Sequence, residues 1–219
     1  AKELWPFIKW CLEYTRRQLN DAGVPRSDRD ELEGRFPAGE ANLCTATLYY
    51  DGLVSAAYLA PLVGEPKSVA NTYRKQAEDL YKAINKYFSA NVSGFETYRY
   101  YDGNTVLRSW ICMPLCFGFK ERAEGTLAAL YSPKLLTVDG LLTAEGDVTF
   151  WDRSTLYALR GAYVAGAADQ ATKQLLDYSN RRLLGTHVPY PIEAWPEGSQ
   201  RHPSAESGLY CRIITEGLF

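Results

Sequence analysis

Helical stretches joined by connections that alternate between long and short constrain this chain more than any other feature of its 219 residues. Apolar residues recur at helical spacing, and the β-branched alternation of strands is nearly absent. The spacing predicts about eight helices, over about 4–20, 43–63, 66–89, 105–118, 121–131, 152–165, 168–182 and 204–217. Between them the stretches 21–42, 90–104, 132–151 and 183–203 are long, whereas Gly64-Glu65, Lys120 and Gly166 mark tight turns. A short connection forces neighbouring helices to run back to back, so the alternation predicts antiparallel hairpins with every long loop at the same end.

The two helices of a hairpin differ in character. The stretch LVSAAYLA at 53–60 is apolar around its circumference and reads as an enclosed helix. YRKQAEDLYKAINKYF carries charge on one face and Tyr73, Leu80, Ile84 and Tyr87 toward the other, and reads as a helix facing water. Together they predict inner helices within outer ones.

Composition removes several classes of function. A net charge of −2 offers no basic field for nucleic acid, and no apolar run approaches the roughly 20 residues needed to cross a bilayer. Neither partner is expected. Cys11, Cys44, Cys112, Cys116 and Cys211 all fall in apolar helical stretches and read as buried thiols. His187 and His202 sit in no HExxH or Cys/His cluster, so neither a metal nor another cofactor is expected.

The long loops carry the polar chemistry. SDRDELEGRFP at 27–37 concentrates Asp28, Asp30, Glu31 and Glu33 ahead of Arg35, which reads either as a solvated acidic turn or as a functional loop. FETYRYYDGN at 95–104 brings Tyr98, Tyr100 and Tyr101 among charges, suited to stacking on sugar faces or to plain loop packing. At 149–154, TFWDRS leaves two readings open: Thr149 or Asp152 caps the following helix, or Trp151, Asp152 and Arg153 line a sugar subsite. The stretch from His187 to Ser204 holds Glu193, Trp195, Glu197 and His202 in a proline-rich setting. Glu193 stands out there, either as a reacting carboxylate or as an ion-pair partner of a base such as Arg201. Glu206, in the first turn of the last helix, reads as a dipole partner.

Glycoside hydrolysis needs two carboxyl groups, one protonating the leaving oxygen and one activating water or attacking the anomeric carbon. The hairpin alternation, SDRDELEGRFPAGEANL leading into LYYDGLVSAAYLAPLVGE, FWDRSTLYALRG, and PYPIEAWPEG with RHPSAESGLYCRIITEGLF resemble the catalytic barrel of the six-hairpin glycosidases, of the trehalase, processing α-glucosidase and α-rhamnosidase type. The resemblance implies an all-α fold, an (α/α)6 toroid of which about eight of about twelve helices lie in this chain, read as one incomplete barrel domain over 1–219. It implies an inverting glycosidase with Glu31 as general acid, Asp30 and Glu33 being the neighbouring candidates, and Glu193 as general base. Arg35, Tyr101, Trp151, Asp152, Arg153, Trp195, Glu197 and His202 are the expected substrate-binding residues.

The expected partners are an oligosaccharide or glycoside substrate and the remainder of the barrel or accessory β-domains. A soluble bacterial protein of the periplasm or cytoplasm is the expected setting. Two other readings stand beside it: a polysaccharide lyase or unsaturated-uronide hydrolase on a similar toroid, and a non-catalytic carbohydrate-binding or scaffold module.

Overall fold

Residues 1–27, 29, 37–185, 190–194 and 204–219 are described by the computed structural model. The chain divides into two units, residues 1–89 with 100–104 and residues 90–99 with 105–219. The segment 30–36, with Asp30, Glu31, Glu33 and Arg35, and the segment 195–203, with Trp195, Glu197 and His202, lie outside the described residues.

In the first unit, α1 (Trp5–Arg17), α2 (Leu43–Leu62) and α3 (Lys67–Phe88) match the expected spans within a residue or a few. Asn42 starts α2: its buried side-chain oxygen accepts the backbone N–H of Thr45 at 2.8 Å, which satisfies one of the unpaired donors of the first turn. The α2–α3 turn carries Glu65, whose carboxylate accepts from the Trp5 indole at 2.6 Å and from Lys9 at 2.8 Å, pinning α1 there. Ala70, Ala77, Leu80, Ile84 and Phe88 form the buried stripe of α3. Tyr73 and Tyr87, expected on that stripe, are only half-buried, and at the helix end Phe88 takes the inward position in place of Tyr87. The apolar α2 is not enclosed on every side either: Leu53, Ala56, Ala57 and Ala60 are buried, but Val54 and Tyr58 stand exposed.

The second unit departs further from the periodicity. Within the expected loop 90–104, β1 (Ser89–Val92) and β2 (Phe95–Tyr98) form a two-stranded hairpin. Its turn residues Ser93 and Gly94 both have positive φ, +52° and +92°, the backbone twist that suits a two-residue hairpin. The expected helix over 105–118 is a 3-10 turn, Ser109–Cys112, followed by the single turn α4 (Met113–Cys116). Pro114 lacks the N–H a longer helix needs, and the extended Arg108 starts the turn late.

Next come α5 (Ala123–Leu130), the short pair β3 (Leu136–Thr137) and β4 (Gly140–Leu141), α6 (Asp152–Val164), α7 (Ala168–Tyr178) and α8 (Ser204–Ile213). Both α7 and α8 run on into π turns, Ser179–Leu183 and Ile214–Leu218. Leu156, Leu159, Ala162, Ala171, Leu175, Tyr178 and Ile213 form a buried apolar cluster drawn from α6, α7 and α8. Each large side chain there contributes about 1.5–3 kcal/mol of transfer free energy.

Gly140 shows how closely β4 meets α6. Its φ is +130°, and a Cβ there would fall 2.8 Å from the Thr155 hydroxyl oxygen, which itself accepts the Leu141 N–H at 2.9 Å. The cysteines divide as well. Cys44, Cys112 and Cys116 are buried as expected, whereas Cys11 is half-buried and Cys211 exposed, because an amphipathic helix also carries residues on its outward side. Among the described residues no helix is long and apolar enough to cross a membrane.

Candidate functional site

The entrance to α6 organises the site. Trp151 occupies the N-cap position with an extended backbone and makes no side-chain cap, so neither Thr149 nor Asp152 caps the helix. Asp152 is the first helical residue, and its carboxylate serves contacts far away in sequence. One oxygen accepts the backbone N–H of Ile192 at 2.6 Å, and the other faces the Arg182 guanidinium at 3.0 Å. Both ionic side chains are buried, at 2% and 3% exposure. A buried carboxylate so placed is held by a charge and a backbone dipole together, and losing either partner leaves the other stranded in a low-dielectric setting.

Arg182 ties this point to the β3–β4 turn. It donates to the Asp139 carbonyl at 2.5 Å, and its guanidinium lies 5.8 Å from the ring centres of both Phe150 and Tyr178. Arg181, the preceding residue, pairs with the Asp139 carboxylate. Burial, and after it the negative charge of Asp152, pushes the Tyr178 hydroxyl well above the usual phenol range, so it stays protonated.

The anchored Ile192 fixes the short segment 190–194. Ile192 and Ala194 are buried, and Glu193 between them is half-buried. Among the described residues Glu193 makes no hydrogen bond or ion pair. Arg201, the base considered for it, lies outside the described residues, as does His187.

The other expected residues fall as follows. Trp151 is 6% exposed and offers little face to a sugar. Arg153 pairs with Glu206, which is 1% exposed in the first turn of α8; the carboxylate therefore binds a side chain besides lying near the helix dipole. Tyr98 and Tyr100 are fully buried, so packing claims two of the three loop tyrosines. Tyr101 is half-buried in the first unit, where its backbone bridges Asn42. Cys116 donates to the Tyr157 carbonyl at 3.1 Å, and burial pushes its thiol up to about 12, which leaves no reactive thiolate at neutral pH.

Arg182 and Asp139 are the residues sequence reasoning missed. Arg182 read as the polar end of a helix, and 30 residues separate it from Asp152, so no local pattern pairs them.

No protein-family model matches the chain, and no curated protein matches it. A solved structure, the neutral trehalase of Saccharomyces cerevisiae, is similar over 80% of this chain with a TM-score of 0.60 and 14% sequence identity. The chain shares the all-α hairpin fold of that trehalase. It covers 37% of the trehalase chain, and at that identity the likeness is one of fold alone.

Proposed function

We propose that this chain belongs to a glycoside hydrolase that cleaves an oligosaccharide or glycoside by a two-carboxylate, inverting mechanism, with Glu193 as the general base. The observation that carries the reading is a half-buried carboxylate, unpaired among the described residues, on a segment whose preceding backbone N–H is locked to a buried ion pair. A base that must bind and activate water needs a fixed carboxylate whose lone pairs are not already taken. The fold shared with a trehalase supports the reaction class.

The acid role goes to Glu31, with Asp30 and Glu33 as its neighbours in the same loop. Asp152 and Arg153 act by holding the segments around the site, through Ile192 and Glu206. Sugar contacts then fall to Tyr101, Arg35, Trp195, Glu197 and His202, and the buried Trp151 serves packing.

Turnover of a panel of aryl and disaccharide glycosides by the longest available form of the protein, with proton NMR of the first anomer released, tests the reading. Glu193→Gln and Glu31→Gln are each expected to lower kcat by about 10²–10⁴-fold with the melting temperature unchanged. Unaltered turnover in Glu193→Gln, or a product of retained configuration, contradicts it.

A further inference from the structure

The second unit holds a cavity of about 530 Å³ between α7, the β3–β4 turn and the end of α5, separate from the segment around Glu193. Its lining is polar in an unusual way. Gln174, 9% exposed, lines it, and both the carbonyl and the amino end of this carboxamide lack a hydrogen-bond partner among the described residues. The Tyr131 hydroxyl, also at the cavity, is buried and equally unmatched. The Tyr178 hydroxyl in the same wall is buried and unmatched as well. Buried amides and hydroxyls are nearly always satisfied in folded proteins, so four unmet polar atoms beside one cavity mark a place where something else completes them.

The chemistry of the wall narrows what that is. Lys173 and Asp177, the charged residues lining it, are paired to each other at 2.8 Å across one helical turn, so no unmatched charge calls for an ion. A carboxamide presents a donor and an acceptor side by side, and the Tyr131 hydroxyl can serve as either. Neighbouring hydroxyls on one ring answer that pattern, each giving and accepting. The cavity size suits a small molecule, and the β3–β4 turn that lines it is held at Asp139 by Arg181 and Arg182.

We propose that this cavity binds an uncharged polyhydroxylated small molecule of about the size of a sugar ring, with Gln174 and Tyr131 as its hydrogen-bonding residues. The site shares no residue with the segment 190–194 and does not rest on the glycosidase reading, although Tyr178 in its wall packs against the Arg182 that pairs with Asp152.

Titration of the ¹⁵N-labelled chain with D-glucose and myo-inositol, and with D-glucuronate and D-glucosamine for comparison, tests it. The neutral polyols are expected to give saturable shifts in the Gln174 side-chain amide and in the backbone N–H of Leu136 and Leu141. The charged sugars are expected to bind about tenfold more weakly or not at all. Gln174→Leu, which replaces an unmatched polar group with an apolar one of similar size, is expected to fold and to weaken binding about tenfold. Val138 is 72% exposed at the cavity, so Val138→Trp blocks the mouth without touching the core and is expected to abolish the shifts. Glu193→Gln is expected to leave them unchanged. No saturable shift with either neutral polyol, shifts confined to 190–194, or binding indifferent to both cavity variants would overturn the proposal, leaving water as the occupant.

Discussion

The Asp152 carboxylate accepts the Ile192 N–H at 2.6 Å, one residue before Glu193. A side chain that opens one helix thus fixes the backbone of a segment 40 residues on, and it does so while neutralised by Arg182. The stability of the second unit and the placement of Glu193 therefore depend on the same carboxylate.

Asp152→Ala is expected to destabilise the protein by about 3–5 kcal/mol, since it strands a buried guanidinium as well as a backbone donor. The melting temperature should fall by roughly 10 °C, measured by circular dichroism. The double variant Asp152→Leu with Arg182→Met removes both charges and should recover most of that loss. It should not recover the protection of the Ile192 amide against hydrogen exchange. Full recovery of both would show that Asp152 does not position the segment.

Gly140→Ala is expected to cost about 2–3 kcal/mol, because φ of +130° is closed to a side chain and the new Cβ would displace the Thr155 hydroxyl from the Leu141 N–H. Gly146 supplies the control. Its φ is +80° with nothing within 4 Å of an added Cβ, so Gly146→Ala should lose only the backbone strain, about 1–2 kcal/mol. Equal losses in urea unfolding of the two variants would contradict the close approach at Gly140.

Glu145 accepts from Ser93 on the β1–β2 turn and pairs with Lys134 at 2.7 Å. The Lys134 hydrogen bond first, then that of Ser93, hold its carboxyl below the usual carboxylate range against the opposing effect of burial. A depressed folded value means that its contribution is complete above the unfolded carboxylate value of about 4.3 and is lost as pH falls through the lower, folded value. Melting temperatures taken between about pH 6 and pH 3 should therefore fall less steeply for Glu145→Gln than for the parent. Parallel slopes would remove Glu145 from the acid sensitivity of this unit.

Much of the helical framework was legible because it rests on local pattern. The stripe through Leu80 and Ile84 is a periodicity, and LVSAAYLA is an apolar run of helical length; α3 and α2 follow from them. The misreadings have local causes too. The apolar run around Trp110 and Met113 reads as one helix until Pro114 and the extended Arg108 divide it. The β1–β2 hairpin was signalled only by the dipeptide Ser93-Gly94 in an otherwise aromatic loop. At the candidate site the limit is different in kind. Asp152 looks like a helix cap from its neighbours, and only the return of the chain at Arg182 and Ile192 reveals what it binds.

The π turn after α7 gives the segment 179–183 a counted length. Arg181 and Arg182 are consecutive residues, yet one reaches the Asp139 carboxylate while the other reaches both the Asp139 carbonyl and Asp152. Adding or removing one residue in this turn would rotate everything after it by roughly 100° about the helix axis and send Arg182 away from Asp152. Surface connections elsewhere in a protein can lengthen and shorten over generations. This one is a phase setting, and its tolerance is for substitution rather than for insertion.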